Sequence, residues 1–407
     1  MGQRVLVVGA GMAGLRSAES LRAQGYADEI TVVGDESWAP YNRPPLSKEA
    51  LHGELTHEKL AFRVRSNAAD ISWRHGVTAT RADLAARLVR LDDGEVVGYD
   101  ALVAATGVRA RRLQVPGPPQ TPAGGRHVIR TLDDAVALRA ALVPGARVVV
   151  LGAGFIGCEV AATATTLGCD VRCVAIDAYP MVRPLGPELA AELQRRHELH
   201  GVRFHLGVGV AEFVGDHRVT DVVLTDGTRL AADVVVEALG SRCNVEWLEG
   251  NGLDLADGVR TDTALRPVRG DVPVDGVAVV GDVARFPNLR FDDRPLRVEH
   301  WSIPTDTGRR AGAVLAAYLA GEGYEHAVAQ PWDVLPSFWS DQFDIRLQSY
   351  GMPGLADDDG IRVLEGDLHG ECVVGYHRGD ELVGVVGIGM LRVVNGYRER
   401  VGHRAAD

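Results

Sequence analysis

Two glycine-rich segments of this sequence have the spacing that binds a dinucleotide. Each follows an apolar run, RVLVV or RVVVL, and leads into an alanine-rich helical pattern and then another apolar strand. The glycines of the two segments are Gly9, Gly11 and Gly14, and Gly152, Gly154 and Gly157. In this pattern the first glycine makes a tight turn, the second admits the pyrophosphate and the third lets the helix pack on the strand. Two such β-α-β units predict two dinucleotide sites.

An acidic residue at the end of the second strand usually binds the ribose in such a site. At the first site Asp35 and Glu36 both stand there, and we favour Glu36 slightly. At the second site the strand VRCVA ends in Ala175, which offers neither a carboxylate for NAD nor a cation for the 2′-phosphate of NADP. Asp177 lies two residues further on and favours NADH, and Arg183 is a candidate for contact with phosphate or adenine. We therefore expect NADH and keep NADPH as the alternative.

The stretch PYNRPPLSKE, residues 40–49, follows the first unit closely and combines prolines with two cations. Proline fixes φ and removes a backbone donor, so we expect a rigid loop here rather than a helix or a strand. Arg43 and Lys48 give this segment positive charge. The sequence therefore predicts a stiff, cationic loop at the mouth of the first nucleotide site.

The composition is that of a globular protein with an acidic balance. The length of 407 residues predicts two or three domains, and the net charge of −12 argues against a nucleic-acid-binding protein. No apolar run approaches the ~20 residues of a membrane span. The first residues, MGQRVLVVGAG, enter a strand at once, so we expect no signal peptide. The five cysteines form no CxxC pair, which favours a reducing, cytoplasmic location.

Buried strand patterns that end in glycine recur between and after the two units, as DALVAATG, VVVEALG and GVAVVGD. A helical pattern covers residues 305–320, and short alternating strands follow it. We expect an α/β chain in which one nucleotide domain, formed by 1–112 and 242–320, is interrupted by a second at 113–241. A small α+β domain at 321–407 completes the chain.

The stretch PYNRPPLSKE resembles a segment of the FAD-dependent NAD(P)H:ferredoxin reductases of bacterial oxygenase systems. Six further blocks are similar to that family in the right order: ATGVRARRLQVPG, RTLDDAVALRAAL, GAGFIGCEVA, VGDVARF, RVEHW and FWSDQFDIRLQ. Apoptosis-inducing factor is more distantly similar. The resemblance covers nearly the whole chain. It implies a glutathione-reductase-like fold, with a Rossmann-like FAD domain, an inserted Rossmann-like NAD domain and a small C-terminal domain.

The resemblance also implies roles for single residues. Pro44 matches a proline against the flavin ring, and Arg43 and Lys48 match cations nearby. Lys48 and Glu159 match a cation–carboxylate pair near the nicotinamide–flavin junction, and Trp339 matches an aromatic residue near the redox centre. The matches in the other FAD blocks are Thr106 and Gly107 of the crossover, Gly281 and Asp282 by the ribityl–pyrophosphate region, and His300 and Trp301 at the pyrimidine edge. Each also has a plainer interpretation as a loop stiffener, surface charge, helix cap or helix-dipole partner, or packing aromatic.

The implied activity is electron transfer through FAD. NADH delivers hydride to the flavin, Lys48 stabilises the negative charge of the reduced ring, and the electrons leave singly to a small, acidic iron–sulfur ferredoxin. That ferredoxin would serve a haem monooxygenase or a ring-hydroxylating dioxygenase. We expect a monomer or weak dimer with no metal site, nucleic acid or membrane partner. Candidates for a basic docking face are Arg63, Arg65, Arg309 and Arg310.

Two other functions remain open at this point. A disulfide reductase of the same architecture needs a dithiol beside the flavin, as CxxxxC after the first unit or CxxC in the inserted domain, and the sequence has neither. Cys169 and Cys173 are expected to pack instead. A redox-dependent signalling protein, which the distant similarity to apoptosis-inducing factor allows, would react slowly with NADH and reduce no ferredoxin.

Overall fold

The computed structural model describes residues 2–53 and 56–403, which form two compact units. The first unit consists of Met1–Asn42, His57–Arg109 and Cys243–Pro336. The second unit consists of Arg43–Thr56, Ala110–Arg242 and Ser337–Asp407. Each unit contains one of the two β-α-β patterns and builds a parallel sheet around it, as expected when strands alternate with helices.

The parallel sheet of the first unit has five strands, and the strand before the first glycine segment lies at its centre. In spatial order the strands are Val277–Val279, Ala101–Ala104, Arg4–Val8, Glu29–Gly34 and Ser72–His75. The inner strands are almost wholly buried, because helices and loops cover both faces of a parallel sheet. The carboxyl ends of these strands meet at one edge, where such folds bind their ligands.

Helix Met12–Ala23 packs closely on helix Ile303–Ala320 in the first unit. Gly308 and Gly312 face the shorter helix: a Cβ on Gly308 would stand 2.9 Å from its backbone, and one on Gly312 would collide with Ser20. Only glycine allows this close approach at both positions. The longer helix was expected at 305–320 and begins at Ile303 instead, with a proline in its first turn.

The second unit repeats the plan around the second glycine segment. Its parallel sheet has the spatial order Arg203–Leu206, Asp170–Ala175, Arg147–Leu151, Val234–Glu237 and Arg126–His127. A three-stranded antiparallel sheet is formed by Val210–Val214, Asp221–Leu224 and Arg229–Ala231. Buried side chains of both sheets, among them Val149 and Phe213, belong to one apolar core.

The C-terminal part of the second unit is an antiparallel sheet, as the alternating pattern predicts. In spatial order its strands are Ser337–Gln342, Ile345–Gly351, Glu381–Ile388, Cys372–Arg378 and Ile361–Gly366. The edge strand Ser337–Gln342 packs on the helix of the second glycine segment, Phe155–Thr166. The rings of Phe155 and Phe338 mark this contact, with their centroids 4.8 Å apart.

The proline-rich stretch is partly helical, so the expectation of a loop is wrong here. Pro44–Ser47 forms a 3₁₀-helix with prolines in its first turn, and Glu49–His52 forms one turn of α-helix. Proline is accepted in a first turn because the N–H that it lacks has no intrahelical partner there. Lys48 lies at the junction of the two turns, with φ −127° and ψ −112°, where the chain changes direction.

The remaining elements complete the two units. The remaining helices are His57–Leu60, Leu132–Ala141, Val182–Leu185, Pro187–Leu199, Tyr324–Ala329 and Leu391–Gly396, with 3₁₀ turns at Ser66–Ala68, Glu246–Leu248, Gly281–Val283 and Pro353–Leu355. The remaining strands are Ala79–Asp83, Leu88–Leu91, Val96–Gly98, Val108–Ala110, Ser241–Cys243, Val259–Arg260, Val268–Arg269, Val272–Pro273, Ala284–Asn288 and Asp292–Arg297. In the part of the chain that the structure describes, no helix is long and apolar enough to cross a membrane.

Candidate dinucleotide sites and a buried lysine–glutamate pair

The two glycine segments adopt the same local geometry. The first glycine of each has positive φ, +117° at Gly9 and +96° at Gly152. A Cβ on the third glycine, Gly14 or Gly157, would collide with the carbonyl oxygen of the first. The second glycines, Gly11 and Gly154, face open space with no other heavy atom within 4 Å of the position of a Cβ. This is the space that a pyrophosphate needs, so both cradles fit a dinucleotide.

The helices that follow the glycine segments begin without a competing side chain. Neither Met12–Ala23 nor Phe155–Thr166 has a side-chain N-cap hydrogen bond, and neither has an acidic residue in its first turn. Their first N–H groups and the positive end of each helix dipole therefore remain available to a phosphate.

Asp177 occupies in the second unit the position that Glu36 occupies in the first. Gly9 N donates to Val33 O at 2.8 Å, and Gly152 N donates to Val174 O at 2.8 Å, which aligns the two strands. Each carboxylate is the third residue after the aligned valine. The strand ends at Ala175 as expected, and the alignment shows that Asp177, two residues further on, has the register of Glu36.

The two carboxylates have different neighbours. Glu36 is half-buried and accepts a hydrogen bond from Tyr41 Oη at 2.5 Å, whereas Asp35 beside it is exposed. Asp177 forms an ion pair with Arg183 at 3.0 Å. Arg183 remains 73 % exposed, so its guanidinium stands at the surface of the second site beside the carboxylate. The sequence did not point to Tyr41.

The crossover block of the first unit is fixed by Asn244. Thr106 Oγ1 donates to Asn244 O at 2.7 Å, and Asn244 Nδ2 donates back to Thr106 O at 2.9 Å. Gly107 follows with φ +60°, and its carbonyl oxygen accepts from Asn244 N at 3.0 Å. The side chain of Arg109 donates to Asn244 Oδ1 at 2.6 Å. Asn244 was missed as a site residue, although it ends the segment VVVEALGSRCN that echoes the crossover.

Gly281 and Asp282 lie against the start of the first glycine helix. A Cβ on Gly281, whose φ is +71°, would stand 2.9 Å from the Cβ of Ala13. Gly281 N donates to the buried Thr307 Oγ1 at 2.9 Å, which ties the turn to the long helix of this unit. Asp282 is half-buried next to it. Both residues therefore lie near the first phosphate cradle, as the resemblance implies.

His300 and Trp301 precede the long helix of the first unit. Trp301 is 39 % exposed, and its Nε1 donates to Asn42 Oδ1 at 3.2 Å. Burial lowers the pKa of His300 to about 4, so the imidazole is neutral near pH 7. Because so much of the indole is exposed, Trp301 fits a binding role better than a core role.

Lys48 and Glu159 form a buried ion pair in the second unit. Lys48 Nζ lies 3.0 Å from Glu159 Oε1, and the two side chains are only 9 % and 5 % exposed. Ser47 Oγ donates to Glu159 Oε2 at 2.5 Å, and Ser340 Oγ donates to Oε1 at 2.5 Å. Burial raises the pKa of Glu159, and the lysine and the two hydroxyls oppose that rise. The carboxylate thus has three donors that favour its charged form.

Arg43 and Pro44 shape the segment that carries the lysine. Arg43 Nη1 donates to Arg130 O at 2.6 Å, and Pro44 O accepts from Lys48 Nζ at 3.4 Å. The proline backbone therefore helps to orient the ammonium group. This position supports Lys48 directly, in addition to any contact that the proline ring makes.

Trp339 is the neighbour of Ser340 on the edge strand of the C-terminal sheet. It lies on the strand Ser337–Gln342, whose side chains alternate between two faces. Ser340 faces Glu159, so its neighbour Trp339 points to the opposite face of the sheet, where it is half-buried. Its place near the redox centre, which the family resemblance implies, stays a prediction.

The chain belongs to the pyridine nucleotide-disulphide oxidoreductase family, whose sequence model matches residues 3–308. A second model, described as "Reductase C-terminal", matches residues 337–407. The predicted fold class, the resemblance to ferredoxin reductases and the class of FAD-dependent oxidoreductase are thereby confirmed.

The relatives that this chain is similar to are reductase components. Rhodocoxin reductase of Rhodococcus erythropolis is 36% identical over 361 residues, 88% of this chain and 80% of that protein. The ferredoxin–NAD(+) reductase component of the p-cumate 2,3-dioxygenase system of Pseudomonas putida is 36% identical over 369 residues, 90% of this chain and 85% of that protein. The covalent putidaredoxin reductase–putidaredoxin complex contains a chain that matches with a TM-score of 0.89 at 32% identity, covering 99% of this chain and 93% of that one.

Proposed function

We propose that this protein is a flavoprotein ferredoxin reductase that moves electrons from NADH to a small iron–sulfur ferredoxin of an oxygenase system. The observation that carries the proposal is the combination of two phosphate cradles with a buried Lys48–Glu159 pair. The relative named as the ferredoxin–NAD(+) reductase component of a dioxygenase system supports the same function. A monooxygenase or dioxygenase would be served only indirectly.

FAD fits the first cradle, and NADH fits the second. When bound, FAD supplies the conversion between two-electron and one-electron transfer. The open space at Gly11 and the uncapped helix after it would hold the pyrophosphate, and Glu36 would hold the adenosine ribose. Lys48 would supply a fixed positive charge that stabilises the negative charge of the reduced flavin ring. Glu159 and Pro44 O hold that ammonium group in place.

The second site supports NADH as the donor. Asp177 has the register of Glu36, and a carboxylate beside the ribose would accept hydrogen bonds from a 2′-hydroxyl but repel a 2′-phosphate. The carboxylate also forms an ion pair with Arg183, so the positive charge of Arg183 is less available to a 2′-phosphate. Since NADH belongs to the metabolism of the cytoplasm, a cytoplasmic location is part of this proposal.

The partner would be acidic and would dock on a basic patch of a chain whose net charge is −12. Arg63, Arg65 and Arg309 are exposed and support such a patch. Arg310 is half-buried, and its guanidinium donates to the carbonyl oxygens of Val328 and Gln330, so it is a poorer candidate than the other three.

A disulfide reductase is a weaker alternative. The five cysteines of the chain are buried as free thiols. Burial raises the pKa of Cys173 to about 12 and that of Cys158 well above its usual range, which disfavours the reactive thiolate. These cysteines therefore suit packing better than thiol–disulfide exchange.

The experiment that tests the function uses the purified yellow protein. NADH should bleach the flavin absorbance faster than NADPH, and cytochrome c reduction should depend on an added [2Fe–2S] ferredoxin. Faster bleaching by NADPH would overturn the choice of NADH. Slow bleaching with a long-lived charge-transfer band and no ferredoxin reduction would favour the signalling alternative instead.

A further inference from the structure

A chain of buried polar side chains leads from Glu159 to His197 through one strand of the C-terminal sheet. Ser340 Oγ lies 2.5 Å from Glu159 Oε1, and Gln342 Nε2 lies 2.9 Å from Ser340 Oγ. His197 Nε2 lies 2.7 Å from Gln342 Oε1. The three residues beyond Glu159 are each no more than 1 % exposed, so water does not compete for these bonds. Ser340 and Gln342 alternate with Trp339 and Asp341 on the strand and therefore share one face.

The hydrogen bonds that link Glu159, Ser340, Gln342 and His197 have only one consistent donor-to-acceptor direction when Glu159 is ionised. A carboxylate only accepts, so Ser340 donates its proton to Glu159. The Ser340 oxygen then accepts from the amide N–H of Gln342, which leaves the amide oxygen to accept from His197. The imidazole must therefore carry its proton on Nε2.

The surroundings of His197 make the reverse direction of these hydrogen bonds unfavourable. His197 Nδ1 is buried and has no hydrogen-bond partner among residues 2–53 and 56–403. The rings of Phe204 and Phe343 stand edge-on to the imidazole, with centroids 6.0 and 5.2 Å away. Reversal would move the proton to Nδ1 and create a buried N–H without an acceptor, which proteins rarely tolerate. The imidazole thus favours the arrangement that presents a hydroxyl donor to Glu159.

We propose that Ser340, Gln342 and His197 are positioning residues that fix the Glu159 carboxylate, which in turn fixes the ammonium group of Lys48. The C-terminal sheet then supports the redox site through its edge strand, as outer hydrogen-bond partners support a reacting group elsewhere. The role of the pair at the flavin rests on the proposed function. The position of the lysine, however, is measurable without turnover.

The lysine content of the chain makes that measurement simple, because Lys48 and Lys59 are its only lysines. Lys48 is buried and paired, whereas Lys59 is exposed and serves as an internal reference. The flavoprotein would be treated briefly with an amine-acetylating reagent, and both sites would be quantified by peptide mass spectrometry. In the native protein Lys48 should react at least about tenfold more slowly than Lys59, since its amine is buried and held by a carboxylate.

The Ser340→Ala variant tests the hydrogen-bonded series from Glu159 to His197, and Ser349→Ala is its matched control. Ser349 is buried on the neighbouring strand opposite Phe338, and its hydroxyl has no partner among the described residues. Ser340→Ala should raise the Lys48:Lys59 labelling ratio severalfold, Ser349→Ala should leave it unchanged, and Ser340→Thr should keep the native ratio because it retains the hydroxyl. Equal ratios in the two alanine variants, whether low or high, would overturn the proposal.

His197 is tested by a pair of variants. His197→Gln retains an N–H near the position of Nε2, and His197→Leu removes it. His197→Leu should raise the Lys48:Lys59 labelling ratio, and His197→Gln should keep it close to the native value. Identical ratios in these two variants would show that His197 has no part in positioning Glu159. In stopped-flow reduction by NADH, Ser340→Ala should lower the limiting rate with little change in the apparent Kd for NADH. Failure of NADH to reduce the native protein would contradict the proposed function and leave the labelling result decisive on position.

Discussion

The ammonium nitrogen of Lys48 lies 3.0 Å from Glu159 Oε1 in a site where both side chains are almost wholly buried. Two charges in such a place are strongly coupled, because each loses its hydration and depends on the other. The removal of one partner is therefore more damaging than the removal of both.

We predict that Glu159→Gln lowers the free energy of unfolding by ~3 kcal/mol, since it leaves Lys48 buried beside a neutral amide. Lys48→Met added to that variant should recover a large part of the loss, although both variants should reduce the flavin slowly with NADH. Urea denaturation and stopped-flow absorbance measure the two effects. Lys59→Met, at the exposed lysine, should change neither quantity. If the effects of Glu159→Gln and Lys48→Met on the free energy of unfolding simply added in the double variant, the coupling of the two charges would be contradicted.

The second prediction concerns the choice of nicotinamide cofactor. Asp177→Ala removes the carboxylate at the register of Glu36 and breaks its ion pair with Arg183. The preference for NADH over NADPH, measured as the ratio of kcat/KM values, should fall by ~10-fold or more, the effect of losing one hydrogen bond to a charged group. Arg183→Ala should leave the preference for NADH intact. An unchanged ratio of kcat/KM values in Asp177→Ala would mean that another residue distinguishes the 2′-hydroxyl of NADH from the 2′-phosphate of NADPH.

The third prediction separates the two cradles. Gly11 and Gly154 have ordinary backbone angles, with φ −82° and −79°, and face open space, so alanine would harm the fold little. The added methyl group would instead occupy the space of a pyrophosphate. Gly11→Ala should lose the bound yellow flavin on purification, and Gly154→Ala should keep the flavin and raise the KM for NADH.

Gly396→Ala provides the control for both glycine variants, since Gly396 also faces open space and lies at the end of the helix Leu391–Gly396 in the C-terminal part of the second unit. Its flavin content and KM for NADH should equal those of the native protein. Loss of flavin from Gly154→Ala but not from Gly11→Ala would reverse the assignment of the two sites.

The sequence predicts the local parts of this site well and the long-range parts poorly. The glycine cradles are encoded in contiguous residues, so their geometry follows from the pattern alone. The pairing of Lys48 with Glu159 joins residues far apart in the chain, and only the family resemblance suggested it. Ser340 lies in the block FWSDQFDIRLQ and His197 lies in none, but neither was singled out, because a buried hydrogen bond between distant elements leaves no local signature. The strand end at Ala175 was predicted correctly, but the common register of Asp177 and Glu36 follows only from the hydrogen bonds that align the two units.

The last prediction concerns acid stability and His127. This residue is 2 % exposed on the strand Arg126–His127, and neither ring nitrogen has a hydrogen-bond partner within the described residues. Burial, helped by nearby arginines, lowers its pKa from 6.5 to about 4. The folded state therefore binds fewer protons than the unfolded state in this range, so stability is full above pH 6.5 and falls as the pH drops towards 4.

His127→Leu removes this proton-binding difference. Between about pH 7 and about pH 5.5 the native protein should lose ~1 kcal/mol of unfolding free energy through His127, and the variant should lose less by that amount. Urea denaturation at the two pH values measures this change in unfolding free energy for each protein. Any effect of leucine on packing is the same at both pH values and therefore cancels. His52→Gln, at an exposed histidine, should keep the native pH dependence. A native pH dependence in His127→Leu would mean that the buried imidazole gains its proton without unfolding.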